Sequence, residues 1–420
     1  MDEPIAIDVM GAPGIVRKDG VWILDAACKR LIHYTPEAFY TAQCEKALHQ
    51  ARPSAHGPGA GERVHVTLIV SHSCNLRCRY CCVSDIHPRR FMDPAVASAV
   101  PDYVGHKFPL GPVTVSFFGG EPTLAADVIE QSCEAFKAMS RRTGRSVTFS
   151  LATNGVFSDK VVGLLARYRF SVLLSLDGPP VVHNLQRPVT SGKGSYDSVV
   201  RTLHKLRAIG LTVSLSATIT RTSVNYWPHL VDLAVAHNVR NVQFNPVSPS
   251  PWSDRKGPVA WDRPSPEVYA NAAIAAFITG RRRGVIVSNP VFSRLFRPSR
   301  YYCDLIAANS ALCVDCDGTL LACSDAQADN HPFRVASTLG YWDTERGVFR
   351  QSNSYRSPPV DELNTCQDCF ARYHCAGGCR ARALQATPDG NPDPFVCRVV
   401  RIMLPRYLDL MASEVAPRVE

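Results

Sequence analysis

The fold is decided by the stretch Val64-His65-Val66-Thr67-Leu68-Ile69-Val70-Ser71-His72-Ser73-Cys74-Asn75-Leu76-Arg77-Cys78-Arg79-Tyr80-Cys81. The β-branched run over 64–70 reads as a strand, and it leads directly into three cysteines at the spacing C-x3-C-x2-C. Three thiolates so spaced can wrap one corner of an iron-sulfur cubane, and the fourth iron is left open to another ligand. The plain alternative is a structural zinc site that lacks its fourth ligand. Cys82, next in the chain, competes with Cys81 for the third position.

Outward from this loop, short β-rich runs alternate with helical-period stretches as far as residue 246, the pattern of a parallel sheet wrapped by helices. Strands are predicted at 64–70, 113–118, 147–152, 170–176, 213–219 and 242–246. Helices are predicted at 94–106, 125–139, 160–168, 195–208 and 227–237. The order gives an α/β fold, a partial (β/α)6 barrel whose chemistry belongs at the carboxyl ends of the strands. Ahead of it, residues 1–63 form a small N-terminal hairpin-helix segment: a hairpin over 15–24 and 30–33, a helix over 36–49 and a Pro/Gly-rich linker over 52–61. The barrel takes residues 64–288, including a Pro-rich loop at 248–264 and a helix at 266–278 capped by Ser265. Residues 289–420 form a C-terminal Cys-rich domain held by iron-sulfur or other metal, closed by an amphipathic helix over 399–411 that Pro405 interrupts.

Composition narrows the function. With 45% hydrophobic and 20% charged residues over 420, the chain buries a sizeable core, and global disorder is excluded. No run of 18 apolar residues exists, and the start lacks the basic and apolar regions of a signal peptide, so no membrane is expected and the location is cytoplasmic. In that reducing compartment 16 cysteines point to metal or redox chemistry rather than disulfides. The formal charge of +9 comes with no groove-reading motif, and no nucleic acid is expected as partner.

The cysteine loop, in its place after the first strand of a β/α series and with aromatic Tyr80 before Cys81, resembles the signature of radical S-adenosylmethionine enzymes. The resemblance implies a [4Fe-4S] cluster on Cys74, Cys78 and Cys81, with S-adenosylmethionine chelated to the open iron. One-electron reduction then cleaves the sulfonium to a 5′-deoxyadenosyl radical that abstracts a substrate hydrogen. Gly119-Gly120-Glu121-Pro122, at the end of the second strand, is similar to the family's GGEP motif, where glycines let the backbone approach the methionine amino group. Thr153 and Asn154 end the third strand, while Ser175 and Asp177 end the fourth and suit a ribose diol. Arg187 is assigned by the resemblance to the methionine carboxylate.

A second cysteine set follows: Cys303-x14-Gly318-x4-Cys323, then Cys366-x2-Cys369-x5-Cys375-x3-Cys379, then Cys397. It resembles the SPASM domain of radical S-adenosylmethionine enzymes that modify peptides, so that the likeness covers residues 64–400. By that likeness Cys303, Cys323 and Cys379 hold a first auxiliary [4Fe-4S] cluster, while Cys366, Cys369, Cys375 and Cys397 hold a second. With the cluster in the barrel, that makes three. Sulfatase-maturating relatives have an eighth cysteine near Ala308 or Asn309, where this chain has none. If the hairpin over 312–323 pairs Val314 with Thr319, Cys313 sits opposite Leu320, three residues or roughly 10 Å from Cys323. The first auxiliary cluster is then expected to have an open site, with Cys313 as runner-up ligand and Cys316 less well placed.

Removing a hydrogen from an unactivated carbon takes a radical, and completing a two-electron oxidation takes an acceptor, which auxiliary clusters supply. The resemblance therefore implies a radical SAM oxidoreductase acting on a ribosomally synthesised precursor peptide. Its products would be a thioether or C–C crosslink or a dehydrogenation, with flavodoxin or ferredoxin as external reductant. The hairpin at 14–25 and 31–35 looks like an abbreviated leader-peptide recognition element, or else caps the barrel bottom. Three alternatives stay open: a formylglycine-forming sulfatase maturase, a small-molecule dehydrogenase and a zinc-bound docking protein. Against the maturase, Asp325 stands one residue beyond the maturases' Asp position, occupied here by Ser324, and neighbours on a strand face opposite sides. No catalytic acid or base is assigned, and His72 reads as a hydrogen-bonding loop residue.

Overall fold

Alternating apolar and small polar residues build the central sheet of the computed structural model, which describes residues 5–9, 12–17, 20–25, 30–35, 63–81, 90–248, 262–289, 298–387 and 389–415. Seven parallel strands come first: β5 Val64–Ser71, β6 Val113–Gly119, β7 Val147–Thr153, β8 Ser171–Ser175, β9 Thr212–Ile219, β10 Asn241–Pro246 and β11 Ile286–Ser288. Each is hydrogen-bonded to the next, so β11 adds a seventh strand to the expected six. At three residues, β11 is too short to carry a period of its own in the sequence.

The sheet does not stop at the predicted boundary near residue 289. Strand β12 (Ala311–Val314) pairs parallel to β5, and β13 (Leu320–Leu321), β14 (Thr338–Asp343) and β15 (Val348–Gln351) follow antiparallel. The C-terminal cysteine segment is therefore seamed to the edge of the strand that feeds the first cysteine loop.

Helices α1 Pro94–Lys107, α2 Ala126–Thr143, α3 Asp159–Arg167, α4 Pro180–Gln186, α5 Tyr196–Ala208, α6 Trp227–Ala236 and α7 Pro266–Arg282 accompany the parallel strands. Ser265 caps α7 as expected, its side chain accepting from the Val268 N–H. One face of each strand joins the helices in the core: Val213, Leu215, Ala217 and Ile219 of β9 are buried there, with Val96 of α1 and Ile129, Cys133 and Phe136 of α2. The opposite face carries Ser116, Ser150, Ser175, Ser216, Thr218, Gln243 and Asn245, all half-buried. Barrel interiors are usually filled by bulky branched side chains, so a hydroxyl-lined face leaves room for a ligand.

At the N-terminus the expected hairpin is a four-stranded antiparallel sheet of β1 Ile5–Val9, β2 Ala12–Arg17, β3 Gly20–Asp25 and β4 Arg30–Tyr34. Its apolar face packs on the last helix of the chain. Ile15, Trp22, Leu24 and Leu31 pack on Val400, Leu404, Tyr407, Leu408 and Ala412 of the last helix, α8 (Pro394–Val415), which runs on through Pro405. The expected helix at 36–49, the linker at 52–61, and Cys28, Cys44 and Cys82 lie outside the described residues. Among the described residues no helix is long and apolar enough to cross a membrane.

Candidate active site at the carboxyl ends of the strands

The loop after β5 is braced by the loops after β7 and β8. Arg77 N–H donates to Pro188 O at 2.8 Å, Arg79 N–H to Gln186 O at 2.9 Å, and Asn75 Nδ2 to Val156 O at 2.7 Å. With Leu76 buried beneath them, Cys74, Cys78 and Cys81 converge, Cys81 lying within electrostatic reach of Cys74 and both within reach of Cys78. Burial, reinforced by Glu121 and Cys81, pushes the Cys74 thiol up to about 11. Burial with Cys81 and Cys74 pushes Cys78 up to about 12, against the pull of Arg187.

The GGEP turn lies directly under this loop. Gly119 has φ +133°, and a Cβ there would collide with the Ser71 carbonyl oxygen; one on Gly120 would collide with that of Ser73. Gly120 and Glu121 N–H groups donate to those same two carbonyls, at 2.7 and 2.8 Å. The glycines are thus required by the protein's own cysteine loop. Glu121 is fully buried, and its carboxylate accepts from Thr123 N, Thr123 Oγ1, Thr153 Oγ1 and Asn154 N at 2.7–3.1 Å. It joins the ends of β6 and β7, with three of these bonds on Oε1 and one on Oε2. Asn154 does face the loop: Nδ2 lies 3.7 Å from Cys74 Sγ and 2.8 Å from Asn75 Oδ1.

Asp177 is likewise a hub. Its fully buried carboxylate accepts from Tyr80 Oη at 2.6 Å, Gln186 Nε2 at 2.8 Å, Arg187 Nε at 2.9 Å and Thr218 N at 2.9 Å. Three of those bonds fall on Oδ2 and one on Oδ1, so much of the carboxylate's acceptor capacity is spent within the protein. Although burial opposes it, Arg187 holds the Asp177 carboxyl below the ordinary range. Ser175, half-buried at the end of β8, makes no side-chain hydrogen bond among the described residues and keeps its hydroxyl for a ligand. Arg187 aims past Asp177 at the cysteines, with Nη1 4.0 Å from Cys78 Sγ and Nη2 3.5 Å from Thr218 Oγ1.

The sequence reading missed Tyr80, Gln186, His183 and Thr218 in this hub, because three of them sit on or beside the short α4 and β9, where no motif marks them. His183 is fully buried, within 3.3 Å of the Asp177 N–H and 3.0 Å of Ser195 Oγ, and burial pushes its ring down to about 4. It also underread His72, whose Nε2 lies 2.6 Å from Asp315 Oδ1, with Arg334 on the other carboxylate oxygen at 2.9 Å. This buried chain of polar contacts ties the first cysteine loop to the β12–β13 turn.

The C-terminal thiols fall into two groups. Cys303, Cys323 and Cys379 lie within electrostatic reach of one another. Cys366, Cys369 and Cys397 do likewise, and Tyr302 is in reach of Cys366, Cys375 and Cys397. Two hairpin expectations change. Val314 pairs with Leu320 and Cys313 with Leu321, so Cys313 stands two residues, not three, from the position opposite Cys323. Its side chain nevertheless packs with Ile69, Cys316 and Leu321, and Cys316 Sγ donates to Ile69 O at 3.0 Å. Residues Ser324–Ala326 form a 3-10 turn instead of a strand, so alternation does not turn Asp325 away. Asp325 Oδ2 lies 3.8 Å from Cys379 Sγ and 3.4 Å from Arg382 Nε.

A cavity of about 390 Å³ joins the two halves, lined by Gln243, Asn245, Asp325, Cys375, Cys379, Arg382 and apolar residues of α8. Asn245 pairs with Thr218 across β10 and β9, so the cavity opens one strand away from the Arg187–Asp177 hub.

A sequence model of the radical SAM superfamily matches residues 68–233, the span from β5 to α6 that carries the three-cysteine loop and the hub. The chain belongs to the radical SAM superfamily. It is 25% identical over 352 residues to the serine-type anaerobic sulfatase-maturating enzyme of Klebsiella aerogenes, covering 80% of this chain and 84% of that one. It is 25% identical over 343 residues to the PqqA peptide cyclase of Ruegeria pomeroyi, covering 78% and 85%. The solved structure of native anSMEcpe with bound AdoMet and Kp18Cys peptide shares the fold, with a TM-score of 0.64 at 19% identity over 84% of this radical SAM chain and 99% of that chain.

Proposed function

We propose that this radical SAM enzyme carries out a net two-electron oxidation of a ribosomally synthesised peptide, installing a crosslink or a double bond. The observation that carries the reading is the shared cavity. One wall comes from the lumen side of β10, one strand from the Arg187 hub, and the other from Cys375 and Cys379 of the two C-terminal thiol groups. A substrate side chain held there sits between a radical source and electron acceptors. The relatives named for sulfatase maturation and peptide cyclisation support a peptide as substrate.

Cys74, Cys78 and Cys81 suit a [4Fe-4S] centre: burial holds the Cys74 and Cys78 thiols protonated, and a cation beside them is what would make them thiolates. When bound, the cluster and S-adenosylmethionine supply one-electron reductive chemistry that ends in hydrogen abstraction from the substrate. The chain's part is to hold and shield. Arg187, fixed by Asp177 and Tyr80, offers two N–H groups to a methionine carboxylate beside Cys78. Asn154 orients the Cys74 side of the loop, and Ser175 offers its hydroxyl to the nucleoside.

The group of Cys303, Cys323 and Cys379 suits a first auxiliary cluster with an open site, and Cys366, Cys369, Cys375 and Cys397 suit a second. Among the described residues β1 and β4 are the outer strands of the N-terminal sheet, which rests on α8, whose Val400 also lines the cavity. Strand addition at such an edge would grip a precursor's leader while its core reaches the cavity. Flavodoxin or ferredoxin would serve as the external reductant.

Formylglycine formation is the second reading, and Asp325 favours it, since its carboxylate lies beside Cys379 and faces the cavity where a substrate proton must be taken. The two readings separate on one experiment: anaerobic, reconstituted enzyme with dithionite and S-adenosylmethionine, offered either a peptide encoded near this gene or a sulfatase-derived Ser/Cys peptide. Deoxyadenosine release coupled to hydrogen loss from the first supports crosslinking or desaturation. A hydrazide-reactive aldehyde on the second supports formylglycine formation. Zinc in place of iron and sulfide would overturn both.

A further inference from the structure

Tyr302 is fully buried, and its hydroxyl has no hydrogen-bond partner among the described residues. A buried phenol normally finds a partner, and leaving one unpaired is expensive. The backbone fixes where this one points, through Tyr302 N–H to Pro358 O at 3.2 Å and Cys303 N–H to Ser357 Oγ at 3.0 Å. The ring lies with its hydroxyl end against the link between Cys375 and Cys379. That link runs through three successive left-handed residues, Ala376, Gly377 and Gly378, with φ of 49°, 75° and 86°. A Cβ on Gly377 would stand 2.9 Å from the Tyr302 Cζ and 3.1 Å from each Cε, so the chain is bared of side chains there to seat the phenol. The Arg380 guanidinium covers the ring at 5.6 Å. Besides Arg380, the charged or ionisable groups within electrostatic reach of the hydroxyl are three thiols, Cys366, Cys375 and Cys397.

We propose that the Tyr302 hydroxyl donates a hydrogen bond to a thiolate or sulfide of the second auxiliary cluster and so sets that cluster's reduction potential. This rests on the reading that Cys366, Cys369, Cys375 and Cys397 hold a cluster. Hydrogen bonds to cluster sulfurs favour the reduced, more negative state, and they are among the main levers on iron-sulfur potentials. Tyr302 is then a positioning residue for electron removal, acting through the cluster and not on substrate.

The test uses full-length, anaerobically reconstituted protein carrying Cys74→Ala, Cys78→Ala and Cys81→Ala, so that only auxiliary clusters titrate. Redox titration followed by electron paramagnetic resonance compares it with the same protein carrying Tyr302→Phe. The expected result is unchanged iron content and one auxiliary transition shifted about tenfold toward the oxidised form, about 59 mV more negative, with the other unmoved. Full iron content with both potentials unchanged overturns the role of Tyr302 and leaves the ligand reading standing. Iron for only one auxiliary cluster before Tyr302 is touched overturns both. If Tyr302→Phe fails to hold iron, 3-fluorotyrosine incorporated at position 302 is the second arm. Its more acidic hydroxyl should move the same transition positive, and no movement overturns the proposal.

Discussion

Replacing Asp177 with Asn tests whether this carboxylate is a hub of the protein or a ligand of the nucleoside. In the structure it takes four hydrogen bonds, from Tyr80, Gln186, Arg187 and the Thr218 N–H, and it is the counter-charge of an Arg187 only 8% exposed. An Asn that turns its carbonyl to the three side-chain donors sets its own NH2 against the Thr218 N–H and leaves the guanidinium without a partner charge. Breaking a buried ion pair from one side costs about 3–5 kcal/mol. The stranded N–H adds about 1–3 kcal/mol before relaxation. A net loss of about 3–6 kcal/mol lowers the melting temperature of a unit the size of the barrel by about 6 °C or more. The assay is thermal unfolding of the cluster-free protein by circular dichroism, with S-adenosylmethionine binding to reconstituted protein measured separately. An unchanged melting temperature with weakened S-adenosylmethionine binding would refute the reasoning, because the carboxylate would then be spent on the ligand.

Three further outcomes follow from the same geometry. His183 is held neutral by burial down to about 4 while an unfolded histidine titrates near 6.5, so the unfolded chain binds the extra proton between those values. Its share of stability is present above pH 6.5 and lost as pH falls to 4, on the order of 3 kcal/mol in all; urea unfolding of His183→Gln should show a flatter acid limb than the parent. Gly120→Ala puts a methyl against the Ser73 and His72 carbonyls, so the cysteine loop must shift; iron at the first site should fall and stability drop by about 1–3 kcal/mol, and full iron loading would count against the loop contact. Asp325→Asn should keep deoxyadenosine release but lose about 10²-fold or more in product if its carboxylate takes a substrate proton. Product formed at the parental rate removes that role.

Much of the molecule was legible from residue types and spacing. Six of seven parallel strands and the cysteine loop could be placed because each strand alternates apolar and small residues, and because the loop's spacing is chemically specific. What stayed hidden was tertiary. That Asp177 and Glu121 each gather four donors of the protein was not legible, because a sequence does not show how many donors will converge on one acceptor. The hairpin register slipped by one residue because turn length alone does not fix pairing, and that slip moved Cys313 to the same parity as Cys323. Asp325 was set aside on strand alternation, which fails in a 3-10 turn. The seating of the N-terminal sheet on α8 joins residues nearly 400 positions apart, and only packing of two apolar faces reveals it.

The central claim, oxidative modification of a peptide by radical chemistry at Cys74, Cys78 and Cys81, is tested most directly by intact mass. The measurement takes a short peptide encoded beside this gene, co-expressed under low oxygen with the enzyme or with its Cys78→Ala variant. The expected result is a loss of two hydrogens per modification with the parent enzyme and none with the variant. A peptide of unchanged mass, from cells whose purified enzyme still cleaves S-adenosylmethionine, would contradict the claim and move the substrate to a folded protein or a small molecule.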